Sequence, residues 1–386
     1  MPNYQTDINK DSLFTTIETY IFTITVFFLI PPSYVWNRLS PLLLILIIFA
    51  ISIKHIKFPD LSEVFFKLSF VIVFLYIGLR SGSNIFGYIS LLGIGSLFFV
   101  DPAFLSKVFK AFLTLFAIVL IPSIFVFILV QVLHVNVPHT TIEPLNPLKD
   151  YKYLQYPFLV QSDSVIDNLL PRFFGYFDEP GVVGTISGVL LLCNNYDLKK
   201  KINIPIFVAG ILSFSLAFLI ITFVYGLLFG STKFKIVLAI TVAVAGIFLL
   251  DNEILRKYIF KRLEFEDGKL AGDNRMSSGF EYYYESFSKT DNYYFGMGNN
   301  ASVKHNYGGA SYKDFIVDFG LIPFIIFILL FYISAFFKVK FTKPLLIYLF
   351  ILFSVLYQRP FITQYFYIFL LYAPLLYIAS KKEEIV

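Results

Sequence analysis

Apolar runs long enough to enter a bilayer recur along almost the whole chain, with polar breaks between them. They fall at about 14–36, 39–53, 62–79, 84–100, 108–133, 180–195, 202–215, 217–230, 235–250, 313–336, 344–357 and 361–379. A spanning helix needs roughly 20 mostly apolar residues. The pattern therefore predicts an all-α polytopic membrane protein with about 12 transmembrane helices. The stretch 202–230 reads as one kinked helix or as two. Ser213, Phe214 and Ser215 offer a turn, and an even number of spans reconciles the charges on either side, so two are expected. The polar stretches 134–179 and 251–312 are expected as two large external loops on a single integral membrane domain, residues 1–386. The polar first twelve residues lack a basic region and a cleavage site, so the first apolar run is expected to remain as a helix.

Composition agrees with this plan. The chain is 57% hydrophobic and 15% charged, against roughly 45–50% and about 25% in soluble domains. Cys193 is the single cysteine, which excludes disulfides within the chain and cysteine-based metal sites. Charge placement is more informative than the net charge of +5. Lys54, Lys57, Lys107, Lys110, Lys199, Lys200, Lys201, Lys233, Lys235, Lys338, Lys340, Lys343, Lys381 and Lys382 all fall on one side of the expected topology. The positive-inside rule makes that side cytoplasmic, with both termini on it. The seven arginines, Arg38, Arg80, Arg172, Arg256, Arg262, Arg275 and Arg359, all fall on the other side. Arg38, Arg80 and Arg359 do so in short connections, where loop length explains nothing. Arginine suits planar, bidentate capture of phosphate, so several of these residues are expected to line an external anion site.

Two stretches concentrate candidate chemistry. PRFFGYFDEPGVVG, residues 171–184, places Arg172 and two carboxylates at the start of an inward-running helix. Pro180 suits the first helical position and Asp178 is a plausible N-cap. The helix end itself favours an anion. Arg172 alone also reads as an interface residue, with Asp178 and Glu179 satisfying the helix end. Gly181, Gly184 and Gly188 give a small-residue face for close helix packing. GMGNNASVKHNYGGASYKD, residues 296–314, holds His305, the only histidine of the second loop. Histidine takes a proton near neutral pH, although a lone loop histidine also reads as a solvated surface group. Beside external arginines, it would activate a hydroxyl while they stabilise a phosphate leaving group. Asp318 is an alternative base. Tyr176, Tyr283 and Tyr307 are candidates for contacting sugar rings, since tyrosine joins an apolar body to a hydrogen-bonding tip. No His/Asp/Glu spacing fits a metal site, no Walker-type loop occurs, and nothing points to nucleic acid.

Through RFFGYFDEP at 172–180, NRMSSGFEYYYESF at 274–287, GMG at 296–298, His305 and DFGLIPF at 318–324, the chain resembles the O-antigen and capsule repeat-unit polymerases of Wzy type, which are related to the O-antigen ligases. The resemblance covers nearly the whole hydropathy plan. It implies a GT-C-like membrane fold and an inverting, metal-independent glycosyltransferase without cofactor. The growing glycan would pass from undecaprenyl diphosphate to a hydroxyl of the next lipid-linked repeat unit, on the periplasmic face of the bacterial inner membrane. It also implies a lipid-linked oligosaccharide, the bilayer and a chain-length regulator protein as partners. Residue by residue, it places Arg172 and Arg275 on the diphosphate, His305 at the acceptor hydroxyl and Glu179 in positioning or base work. The chain departs from many relatives at SFSLAF, 213–218, which lacks an arginine after the serine; Arg38, Arg80 or Arg359 would then supply the missing charge. A ligase acting on lipid A-core, or a transporter of the same lipid-linked substrate, remains the alternative.

Overall fold

The computed structural model describes residues 4–31, 40–57, 61–82, 85–143, 151–164, 171–236, 239–240, 265–266, 269–270, 278–299, 301–304, 312–339, 342–358 and 363–383. The protein is mostly helical. The first half contains α1 (Tyr4–Phe28), α2 (Pro41–Lys54), α3 (Leu61–Arg80), α4 (Ile85–Ser96) and α5 (Pro102–Phe127). After a loop with a small sheet come α6 (Pro180–Cys193), α7 (Asn203–Leu212) and α8 (Leu216–Phe229). The last third holds α9 (Ser278–Phe287), α10 (Asn292–Phe295), α11 (Ala301–Lys304), α12 (Tyr312–Phe319), α13 (Leu321–Val339), α14 (Lys343–Gln358) and α15 (Tyr365–Glu383). Several starts carry their own punctuation: Pro41, Pro102 and Pro180 take first-turn positions, and Asp101 caps α5 by accepting from Ala103 N–H at 3.3 Å.

Among the described residues two helices are long and apolar enough to cross a membrane, Pro102–Val132 and Leu321–Val339. Aromatic rings fill the core between helices. Phe70 stacks on Phe98 at 4.1 Å, and Phe331 meets Phe70 edge-on at 5.0 Å. Apolar side chains also cover the outside. Ile72, Leu79, Phe125, Leu228 and Phe337 lie exposed, Phe337 by 76%. Outward-facing apolar surface on this scale marks a surface made to be covered.

The two ends of the bundle differ chemically. At one end Lys54 and His55 both meet Glu18 at 2.8 Å, Ser106 meets Ser380 at 2.8 Å, and Lys381 donates to Asn194 Oδ1 at 2.8 Å. Lys343 lies over the Phe229 ring there. At the other end Tyr76 donates to the Phe295 carbonyl at 2.6 Å, Arg80 to the Gly296 carbonyl and Arg172 to the Ser213 carbonyl. The described lysines and arginines named here therefore segregate as their order in the chain suggests.

Three features depart from the sequence expectation. The fold is not purely helical: β1 (Thr140–Ile142), β2 (Tyr153–Tyr156) and β3 (Leu159–Ser162) form an antiparallel sheet, and β4 (Phe265–Glu266) pairs with β5 (Lys269–Leu270). The run 313–336 is not one helix, because Gly320, at φ 95°, separates α12 from α13. At the helix start near Pro180 the N-cap position is held by the extended Glu179 rather than by Asp178, and the Glu179 side chain makes no capping hydrogen bond.

The stretch 202–230 is two helices. Phe214 takes φ 46°, which a continuous helix does not accommodate. Asn203, at the start of α7, accepts from Asn194 at 2.8 Å, and Tyr225, near the end of α8, donates to Asn195 O at 2.8 Å. Both far ends thus return to one place, so α7 and α8 form an antiparallel hairpin with its tip at Ser213–Ser215.

Candidate functional site

The candidate site is built around the connection from β3 to α6. Rings on α5 report its course. Phe173 meets Phe127 at 5.5 Å, whereas Phe177 meets Phe116 at 6.2 Å and also Phe27 on α1 at 6.5 Å. Phe127 and Phe116 are about 16 Å apart along α5, at the ~1.5 Å rise of a helix. Residues 173–177 therefore descend into the bundle as non-helical chain. Gly175 makes the bend at φ 60°, and its carbonyl accepts from Val160 N–H at 2.7 Å, which ties the segment to β3. The Tyr153 hydroxyl donates to the Asp178 carbonyl at 2.9 Å. Phe173, Phe174, Phe177 and Asp178 are all buried.

At the bottom of this descent α6 begins, with the half-buried Glu179 as N-cap and Pro180 in its first turn. The α7–α8 tip lies alongside. Arg172 Nε donates to Ser213 O at 3.4 Å, and Phe173 N–H donates to Leu212 O at 2.9 Å. Arg172 is thus oriented by the carbonyl end of α7, a favourable place for a cation. Gly184 makes the approach possible, because a Cβ there would overlap the Ser215 side chain. Gly188 likewise faces Ile221. The glycine face packs as the spacing suggests. Tyr176 is half-buried, its ring edge-on to Phe158 at 6.4 Å.

A second group forms at the outer end of α3. Arg80 is partly buried; Nη2 bonds the Gly296 carbonyl, and Nε is buried without a hydrogen-bond partner. Among the described residues no carboxylate forms an ion pair with it. The Tyr283 hydroxyl points at Met297 Sδ, 3.3 Å away, and so belongs to this same stretch. Tyr283 stacks on Phe287, and both pack in a small aromatic core around Phe280. Tyr284 in that core has its phenol raised, first by burial and then by its bond to Tyr293.

The structure thus gathers Arg172, Tyr176 and Glu179 on the descending segment, and Arg80 and Tyr283 around residues 296–297, both at the arginine-bearing end. Arg38, Arg275, Arg359, His305 and Tyr307 lie outside the described residues. Two participants escaped sequence reasoning. Tyr76 sits inside an apolar run and carries no mark of its hydrogen bonds. The sheet had a detectable signature in YLQYPFLVQS, two short runs rich in aromatic and aliphatic residues about a proline-containing turn.

No family model matches the chain, and neither a curated protein nor a solved structure is significantly similar to it.

Proposed function

We propose that the protein is a repeat-unit polymerase of the bacterial inner membrane, passing a growing glycan from undecaprenyl diphosphate to a hydroxyl of the next lipid-linked unit. One observation carries this reading: at the arginine-bearing end, the guanidinium groups of Arg80 and Arg172 are oriented by backbone carbonyls of Gly296 and Ser213. A carbonyl aims a guanidinium without neutralising it, and among the described residues no carboxylate pairs with Arg80, so Arg80 remains suited to an anion. The resemblance stated above supplies the anion's identity.

In this reading the lysine end and both termini face the cytoplasm, and the apolar flanks face lipid. Helices α6, α7 and α8 have 14, 10 and 14 residues, or about 15–21 Å each, short of a hydrocarbon core of about 30 Å. The α7–α8 pair then enters as a half-depth hairpin. Sidedness is unchanged by this, because a hairpin returns the chain to the face it left, as two spans would. The crossing begun by α6 is completed by the descending segment. Non-helical backbone at membrane depth is tolerated where protein buries it or where it lines a cavity. Residues 171–179 fit the floor of an external vestibule.

The chemistry is an inverting displacement at the anomeric carbon. The acceptor hydroxyl loses its proton to the base, for which His305 is the candidate, as its oxygen bonds to that carbon. The bond from carbon to the diphosphate oxygen breaks, and both electrons leave with the diphosphate. Arg172 and Arg80, with Arg275, Arg38 and Arg359, would meet the charge that develops there. Glu179 would position the donor, and Tyr176, Tyr283 and Tyr307 would contact sugar.

The test is incubation of purified protein with lipid-linked repeat units, followed by gel separation of products. A ladder formed without any other acceptor is the expected result. Product only on adding lipid A-core would identify a ligase instead, and lipid translocation without glycan transfer would identify a transporter.

A further inference from the structure

Three side chains from two separate helices converge on one short stretch of backbone. From α3, Tyr76 donates to the carbonyls of Phe295, at 2.6 Å, and Phe319, at 3.3 Å, while Arg80 holds the Gly296 carbonyl. From α12, Asp318 acts twice. Its main-chain carbonyl accepts from Gly298 N–H at 2.8 Å, and its Oδ1 accepts from Ala301 N–H at 2.9 Å. Met297 N–H adds a bond to Val317 O at 2.8 Å. Residues 296–298 are thus laid along the end of α12, and Ala301 is held there by the Asp318 carboxylate.

The glycines explain how the chains come so close. Gly296, Gly298 and Gly320 take φ of 75°, 103° and 95°. A Cβ at Gly296 would overlap the Asp318 carbonyl, one at Gly320 would overlap the Tyr294 carbonyl, and one at Gly298 would lie 2.9 Å from the Arg80 carbonyl. Both the dihedral angles and the space exclude side chains here.

We propose that Tyr76, Arg80 and Asp318 are positioning residues: they clamp residues 295–299 and Ala301 and thereby fix α11, the helix that immediately precedes His305 in the chain. The inference rests on the reading of His305 as the group acting at the acceptor hydroxyl. It gives Asp318 a role different from that of an alternative base. Its main-chain carbonyl and its Oδ1 each accept from a backbone N–H group, and the carboxylate oxygen caps the first turn of α11. Arg80 retains further donors for an anion, since Nη2 alone is committed to Gly296.

The experiment uses the full-length protein in lipid nanodiscs and reads two quantities separately. Hydrogen exchange is followed at the amides of Met297, Gly298 and Ala301, and glycan transfer is followed with lipid-linked repeat units across a pH series. Asp318→Asn keeps an acceptor oxygen, so protection and pH profile are expected to match the unaltered protein. Asp318→Ala is expected to free the Ala301 amide and to lower turnover about 10–100-fold, with KM little changed, as displacement of a reacting group does. Tyr76→Phe removes one hydroxyl, and is expected to speed exchange at Met297 and Gly298 about 2–10-fold. The proposal is overturned if Asp318→Asn is as inactive as Asp318→Ala while all three amides stay protected. It is equally overturned if none of the variants alters exchange. Absence of a ladder from the unaltered protein sinks the functional reading alone, and exchange at the three amides still decides the clamp.

Discussion

Arg172 shows how much a single residue owes to its surroundings. In the chain it follows Pro171 and precedes two phenylalanines; in the fold its Nε meets the carbonyl end of α7. Lysine could keep the charge there but not the planar fork. Arg172→Lys is expected to leave the melting midpoint nearly unchanged and to reduce ladder formation about 10–100-fold, the worth of one charge-assisted bidentate contact.

Between elements, close approach decides the architecture. The α7–α8 tip can meet α6 only because residue 184 lacks a side chain. Gly184→Val should destabilise the protein by about 1–3 kcal/mol through overpacking, read as a lower unfolding midpoint in detergent, and should disturb Arg172 through the displaced tip. Gly320 carries a second such constraint. Gly320→Ala combines a φ of 95° with an overlap at Tyr294, and limited proteolysis should find the α10–α12 region cut faster. The hairpin was legible beforehand because Ser213 and Ser215 bracket a break in an apolar run. The interruption at Gly320 was not, because a glycine inside a hydrophobic run is also tolerated in a continuous helix.

At the scale of the whole molecule, the shared placement of Arg80 and Arg172 at the end opposite Lys54, Lys343 and Lys381 is the feature that a membrane would read. The cysteine-free variant Cys193→Ser permits a direct check, since Cys193 is the single cysteine and is buried. A cysteine replacing the exposed Phe158 should react with an impermeant maleimide on intact cells. One replacing the exposed Lys199 should react only after permeabilisation. The reverse pattern would invert the proposed orientation and remove the external site with it.

Hydropathy by itself determined the helical class, the approximate places of most helices and the separation of the charges, because burial and solvation act on residues in proportion to local composition. Short motifs marked PRFFGYFDEP and GMG as unusual. Tertiary structure decided what those motifs do. The descent of residues 173–177 depends on Phe127 and Phe116, supplied by a helix some fifty residues earlier in the chain. The orientation of Arg80 depends on a carbonyl more than two hundred residues away. Periodicity describes the face that a segment offers to its surroundings, and says nothing of which backbone will come to lie against it.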